Sequence, residues 1–207
     1  RPKPQPIPVR IGGFGGVKGL VQYLKENAIT HLVDATHPFA AQMSTNAVMA
    51  CAETGIPLIA LTRPAWAPGP GDRWQSVPDI PAAVAALEGP AKNVMLAIGR
   101  MHIHEFAPQP QHNYLLRLVD EPKEQPPLPN HIIVVDRGPF SAEADEVLMR
   151  KHRIDLVVSK NAGGTGSVSK LEAARKLGLP VLMIDRPSLP PRREVHEIAD
   201  VLSWLGD

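Results

Sequence analysis

The segment with the most chemistry in it is Ser159-Lys160-Asn161-Ala162-Gly163-Gly164-Thr165-Gly166-Ser167. Glycine backbone can approach an anion closely, and hydroxyl, amide and ammonium groups add donors for phosphate or carboxylate oxygens. It is not a P-loop, because no Lys-Ser/Thr pair follows Gly166; Lys170 enters the next helix instead. A second cluster, Gly12-Gly13-Phe14-Gly15-Gly16, departs from the dinucleotide fingerprint, since Lys18 stands where the third glycine is required. It reads equally as a tight turn or as a phosphate contact at a helix start. In Asp34-Ala35-Thr36-His37-Pro38-Phe39, Pro38 suits a first helical turn, which would set Thr36 or His37 near the cap. His37 there could donate a proton or hold an anion, or it could be a capping residue without chemistry. Arg63, Arg100, Arg137 and Arg186 each adjoin Pro or Gly. Guanidinium forks match carboxylates with paired hydrogen bonds, so several together would suit a polyacid, while each alone reads as surface charge.

Other residues are weaker. His102 and His104 have no third metal ligand near them in sequence, and Cys51 falls on the core side of its helix. No G-x-S-x-G elbow or H-E-x-x-H pair occurs.

These residues must be positioned by alternating strands and helices. Short apolar runs at 9–11, 31–34, 57–61, 93–98, 132–135, 155–158 and 180–184 predict strands, with a further short one at 74–77. Apolar residues at helical spacing predict helices over 17–27, 39–51, 80–87, 141–152, 169–177 and 195–205. Gly55 and Gly178 serve as helix stops, and Ser169 with Glu172 forms a capping box. The alternation implies an α/β fold of parallel βαβ units, whose ligands sit at the carboxyl ends of the strands. Residues 119–130 are rich in proline and read as a linker or a long surface loop. The expected organisation is an N-terminal α/β domain over 1–118 and a C-terminal one over 131–207.

Composition narrows the class. Lys plus Arg is 22 against 21 Asp plus Glu, a net charge of +1, so no global field favours nucleic acid or an anionic membrane. Aromatic residues are only 4%, which leaves few rings for base stacking. Proline, at 23 of 207 residues, is roughly double its ordinary usage. One cysteine excludes a disulfide framework within the chain. No apolar run approaches the roughly 20 residues of a membrane span, and the first residues lack an apolar signal core, so a reduced cytoplasmic setting is expected. The first residue is Arg1 and the first methionine is Met43, so the natural chain is expected to begin upstream.

Taken jointly, Gly12-Gly13-Phe14-Gly15-Gly16 and Asp34 through Ala40 resemble the precorrin-6A reductase family of cobalamin biosynthesis, which includes the cobalt-precorrin-6A reductases. Trp66, Gly99-Arg100, Arg137 through Phe140, Lys160 through Gly166, Lys170 and Arg186-Pro187 recur in that family's order. The resemblance implies NADPH as cofactor, reduction of a precorrin-6A double bond to give precorrin-6B, and a tetrapyrrole bearing acetate and propionate arms. It implies two doubly wound, Rossmann-like parallel-sheet domains with a cleft between them. Family members begin with a strand and a Gly-Gly-Thr loop ahead of Arg1. Part of the nucleotide site is therefore expected there, and Lys3 is a poor substitute for the contact that selects the extra phosphate.

On this basis His37 and Lys160 are the expected catalytic residues, the proton coming from either, from water or from the substrate itself. Gly12, Gly13, Gly15, Gly16, Thr36, Asn161, Gly163, Gly164, Thr165, Gly166 and Ser167 are expected at the cofactor. Arg63, Arg100, Arg137, Lys170 and Arg186 are expected at the substrate. Transient contact with neighbouring pathway enzymes is a further expectation, and neither metal, nucleic acid nor membrane is. Two other readings fit the same residues: a tetrapyrrole or nucleotide carrier, and an α/β transferase for another polyanion.

Overall fold

The computed structural model describes residues 6–122 and 124–206; Lys3 lies outside them. In chain order the first elements are α1 (Gly16–Glu26), β1 (Leu32–Asp34), α2 (Ala41–Thr54), β2 (Leu58–Leu61), β3 (Arg73–Val77), α3 (Ile80–Ala85) and β4 (Asn93–Ala97). After a 3-10 helix (Arg100–Phe106) come β5 (Asn113–Leu118), β6 (His131–Val135), α4 (Ala142–Lys151), β7 (Leu156–Lys160), α5 (Ser169–Leu177), β8 (Pro180–Ile184), β9 (Glu194–Val195) and α6 (Ile198–Gly206). All strand pairs are parallel, as the alternating pattern predicts.

The chain divides into two compact units, 1–62 with 188–207, and 63–187. The first contains a three-stranded sheet in the order β1-β2-β9. Leu20, Val21 and Leu24 of α1 pack with Ala47 and Ala50 of α2. The small side chains of α2 allow close helix approach. Gly55 ends α2 in the left-handed region at φ 72°, a conformation that strains any residue with a Cβ.

The second unit contains a six-stranded sheet in the order β3-β8-β7-β4-β5-β6. Its central strands are near-continuous apolar runs, the pattern of strands buried on both faces. Met95, Leu115, Val157, Val181 and Met183 pack with Met149 of α4 and with Leu171 and Ala174 of α5.

This grouping corrects the expected boundaries. Residues 119–130 do not separate domains: β5 and β6 flank them and pair in parallel, with Leu116 opposite Ile133. The segment is the long loop of the two alternatives. Sequence periodicity reveals alternation but not which strands become neighbours, and β5, NYLLRL, gives no clean strand signal because Asn113 and Arg117 interrupt its apolar run. Residues 9–11 form no strand; Ile11 is 93% exposed, with no apolar layer to pair against among the described residues. Helix α2 starts at Ala41, so Pro38 lies in a preceding turn and neither Thr36 nor His37 caps it. The capping box at α5 is also absent: Val168 is the N-cap, and the Ser169 hydroxyl donates instead to Asp145 Oδ2 at 2.6 Å.

Candidate functional site

A parallel sheet brings all its carboxyl ends to one edge. In the second unit β4, β6, β7 and β8 end at Ala97, Val135, Lys160 and Ile184, so Arg100, Arg137, Lys160 and Arg186 are delivered to the same edge. Lys160 is the most enclosed of these, at 9% exposure. Burial lowers its proton affinity, and the charge of Glu105 opposes that shift. Glu105 lies in the 3-10 helix after β4 and is held at 2.6 Å from His102 Nδ1. Arg100 and Arg63 are exposed. Arg137 is exposed as well, pairing with Asp120 and donating to the Val119 carbonyl at 3.1 Å.

The loop after β7 is built against the segment at 63–66. Trp66 N–H donates to Asn161 Oδ1 at 2.8 Å, and Asn161 Nδ2 donates back to the Trp66 carbonyl at 2.9 Å. The Trp66 indole N–H donates to the Gly164 carbonyl at 2.8 Å. Gly163 has φ +70°, and a Cβ there would sit 2.1 Å from the Pro64 carbonyl oxygen. A Cβ on Gly164 would meet the Arg63 stem at 2.6 Å. Arg186 donates from Nε to the Asn161 carbonyl at 3.0 Å and from Nη2 to the Ala162 carbonyl at 3.2 Å. Thus Asn161, Gly163, Gly164 and Arg186 build the loop. Its tip, Thr165-Gly166, is exposed, and a Cβ on Gly166 would meet open space.

Lys170, expected to reach a substrate, is 3% exposed. Its ammonium donates to the Ser167 carbonyl at 2.5 Å and lies 4.8 Å from the Trp66 ring centroid. Burial, then the charge of Arg117, lowers its pKa to about 7, with Asp145 opposing. Arg117 and Asp145 form an enclosed ion pair, and Arg117 also covers the Phe140 ring at 4.2 Å. Sequence reasoning missed Arg117 and Asp145, which no motif or spacing marks.

In the first unit, Gly15 caps α1 in the left-handed region, with neither a side-chain cap nor an acid in the first turn. Gly13, Gly15 and Gly16 line a pocket of ≈ 250 Å³ with Gln42, Met43 and Asn46 of α2. A Cβ on Gly12, Gly13, Gly15 or Gly16 would meet nothing within 4 Å, so these glycines leave open space rather than fill a packed turn. Thr36 turns inward: its N–H and hydroxyl donate to Asp34 Oδ1 at 3.1 and 2.7 Å. Arg192 donates to Asp34 Oδ2 at 2.5 Å. Burial favours the neutral acid, but hydrogen bonds from Ser44 and Thr36 and the Arg192 charge outweigh it, holding the Asp34 carboxyl below its ordinary range. His37 is exposed, and its Nδ1 accepts the Phe39 N–H at 3.2 Å.

Comparison with known proteins gives consistent matches. A family model described as precorrin-6x reductase CbiJ/CobK matches residues 1–206. The chain is 54% identical over 206 residues to the precorrin-6A reductase of Rhodobacter capsulatus, covering 100% of this chain and 82% of that one. It is 44% identical over 199 residues to the precorrin-6A reductase of Rhodococcus erythropolis, covering 96% and 80%. To the cobalt-precorrin-6A reductase of Priestia megaterium it is 32% identical over 193 residues, covering 88% and 75%. A solved structure of CobK precorrin-6A reductase superposes with a TM-score of 0.95 at 55% identity, covering 98% of this chain and 83% of that one.

Proposed function

The chain belongs to the precorrin-6x reductase CbiJ/CobK family, and from that membership we propose that it reduces a double bond of precorrin-6A to give precorrin-6B in cobalamin biosynthesis. The observation that carries this reading is 54% identity to a precorrin-6A reductase along the whole chain. The cationic carboxyl edge of the six-stranded sheet supports it independently, because the substrate is a polyacid. The enzyme is an oxidoreductase and needs a nicotinamide donor; NADPH is the donor the family resemblance implies. The metal-free substrate is favoured over its cobalt form, since relatives named for the former match at 54% and 44% and the Priestia relative named for the latter at 32%.

When bound, the reduced nicotinamide supplies the hydride, and the protein supplies orientation and charge. The Gly12, Gly13, Gly15 and Gly16 backbone, bordering open space beside an uncapped helix start, suits a phosphate. Thr165 and Gly166 offer backbone at an exposed loop tip, with half-buried Ser167 beside them. Thr36, Asn161, Gly163 and Gly164 serve these contacts by shaping backbone. Arg63, Arg100 and Arg137 are the arginines suited to substrate carboxylates, whereas Lys170 and Arg186 brace the loop. Lys160, with its lowered proton affinity, is the proton donor favoured here, with exposed His37 the second.

The test is NADPH oxidation followed by absorbance, with and without precorrin-6A. Oxidation that requires the tetrapyrrole supports the assignment, and NADH in parallel tests the cofactor. A carrier would bind pigment yet leave the nicotinamide reduced, and a transferase would respond to neither.

A further inference from the structure

We infer that Trp66 is a positioning residue whose clamp on Asn161 and Gly164 holds the 161–167 loop in the shape that binds ligand. This rests on the reading of that loop as part of the ligand site. Its side chain and backbone make three separate hydrogen bonds to the loop: N–H to Asn161 Oδ1, carbonyl from Asn161 Nδ2, and indole N–H to the Gly164 carbonyl. The fourth contact is the Lys170 ammonium at 4.8 Å from the ring centroid.

Together the contacts act on three parts of the loop. The Asn161 amide is spent in both directions on the Trp66 backbone, which sets where the loop leaves β7. The indole fixes the Gly164 carbonyl, in the middle of the glycine run, and so orients the peptide that follows it. Lys170 ties the far end, donating to Ser167 while facing the same ring. Gly163 closes the interface, because a Cβ would collide with the Pro64 carbonyl oxygen at 2.1 Å. A glycine-rich loop left alone samples many conformations, and ordering it on binding weakens affinity. The clamp removes that ordering from the binding step. Trp66 touches no reacting atom in this account, so its loss acts on ligand affinity before the chemical step.

The experiment uses the full chain with Trp66→Phe, which keeps an aromatic ring, though a smaller one, and deletes the indole donor, and Asn161→Leu, which deletes the amide pair. Hydrogen exchange of peptides covering 161–168 is measured with KM and kcat for NADPH and precorrin-6A and with the Kd of NADPH. The expected result is faster exchange confined to the loop, KM or Kd raised at least fivefold for one of the two ligands, and kcat reduced less than twofold. Trp66→Leu, which also deletes the ring beneath Lys170, is expected to be worse than Trp66→Phe in both readouts. Unchanged exchange in both Trp66→Phe and Asn161→Leu overturns the clamp. Faster exchange with unaltered KM and Kd for both ligands overturns instead the reading of the loop as a ligand site.

Discussion

Lys160 and Lys170 carry the same side chain into different surroundings, and their roles separate accordingly. Lys160 ends β7 at the carboxyl edge, faced by the Glu105 charge. Lys160→Ala is expected to lower kcat/KM for precorrin-6A reduction at least tenfold, or about 1.4 kcal/mol of transition-state stabilisation. Unchanged steady-state kinetics would remove Lys160 from the site. Lys170 has a folded-state pKa of about 7 against 10.5 when unperturbed. Between those values the unfolded chain binds a proton that the folded chain does not, so stability rises with pH across that window. Below pH about 7 both states are protonated and that gain is absent. Urea unfolding at several pH values is expected to show a slope on the order of 1 kcal/mol per pH unit. Lys170→Met should flatten it; an unaltered slope would assign the pH dependence to other groups.

At the scale of elements, the site depends on how α5 and its leading loop are seated. Gly163 and Gly166 test this in opposite ways. Gly163→Ala puts a Cβ into the Pro64 carbonyl from a left-handed backbone and is expected to destabilise by about 3 kcal/mol. Gly166→Ala meets open space and is expected to stay within about 0.5 kcal/mol of the parent. Equal melting temperatures for the two variants would show that the 63–66 segment does not pack as described. Asp145 joins three elements, pairing with Arg117 of β5 and accepting from Ser169 at the start of α5. Asp145→Ala leaves the enclosed Arg117 charge uncompensated, with an expected loss of about 3–5 kcal/mol by denaturant unfolding. The strands and helices of this region were largely legible, because 3.6-residue and continuous apolar patterns survive in any fold. The capping box was not: Ser169 has the right type and spacing, but Asp145 offers its hydroxyl a better partner.

For the whole molecule, a near-zero net charge means that anionic ligands are held by local cations rather than by a general field. A ligand that binds only the folded chain stabilises it by mass action. NADPH at one hundred times its Kd is expected to stabilise by about 2.7 kcal/mol, read as a raised melting temperature. No shift under saturating NADPH would argue against nicotinamide binding by this chain.

The sequence by itself determined the α/β class, the parallel connections, most element positions and the family, because these follow from local periodicity and from residue types in a fixed order. It also marked Lys160 and the glycine run as chemically unusual. Tertiary structure alone decided that 63–187 makes one sheet unit while 188–207 returns to the first. It alone showed that Asn161, Arg186 and Lys170 hydrogen-bond to the loop or to the 63–66 segment it packs on. The reason is physical: a polar side chain takes the partner that burial brings within reach, and partners such as Trp66, 95 residues from Asn161, are fixed by strand order, which no local pattern encodes.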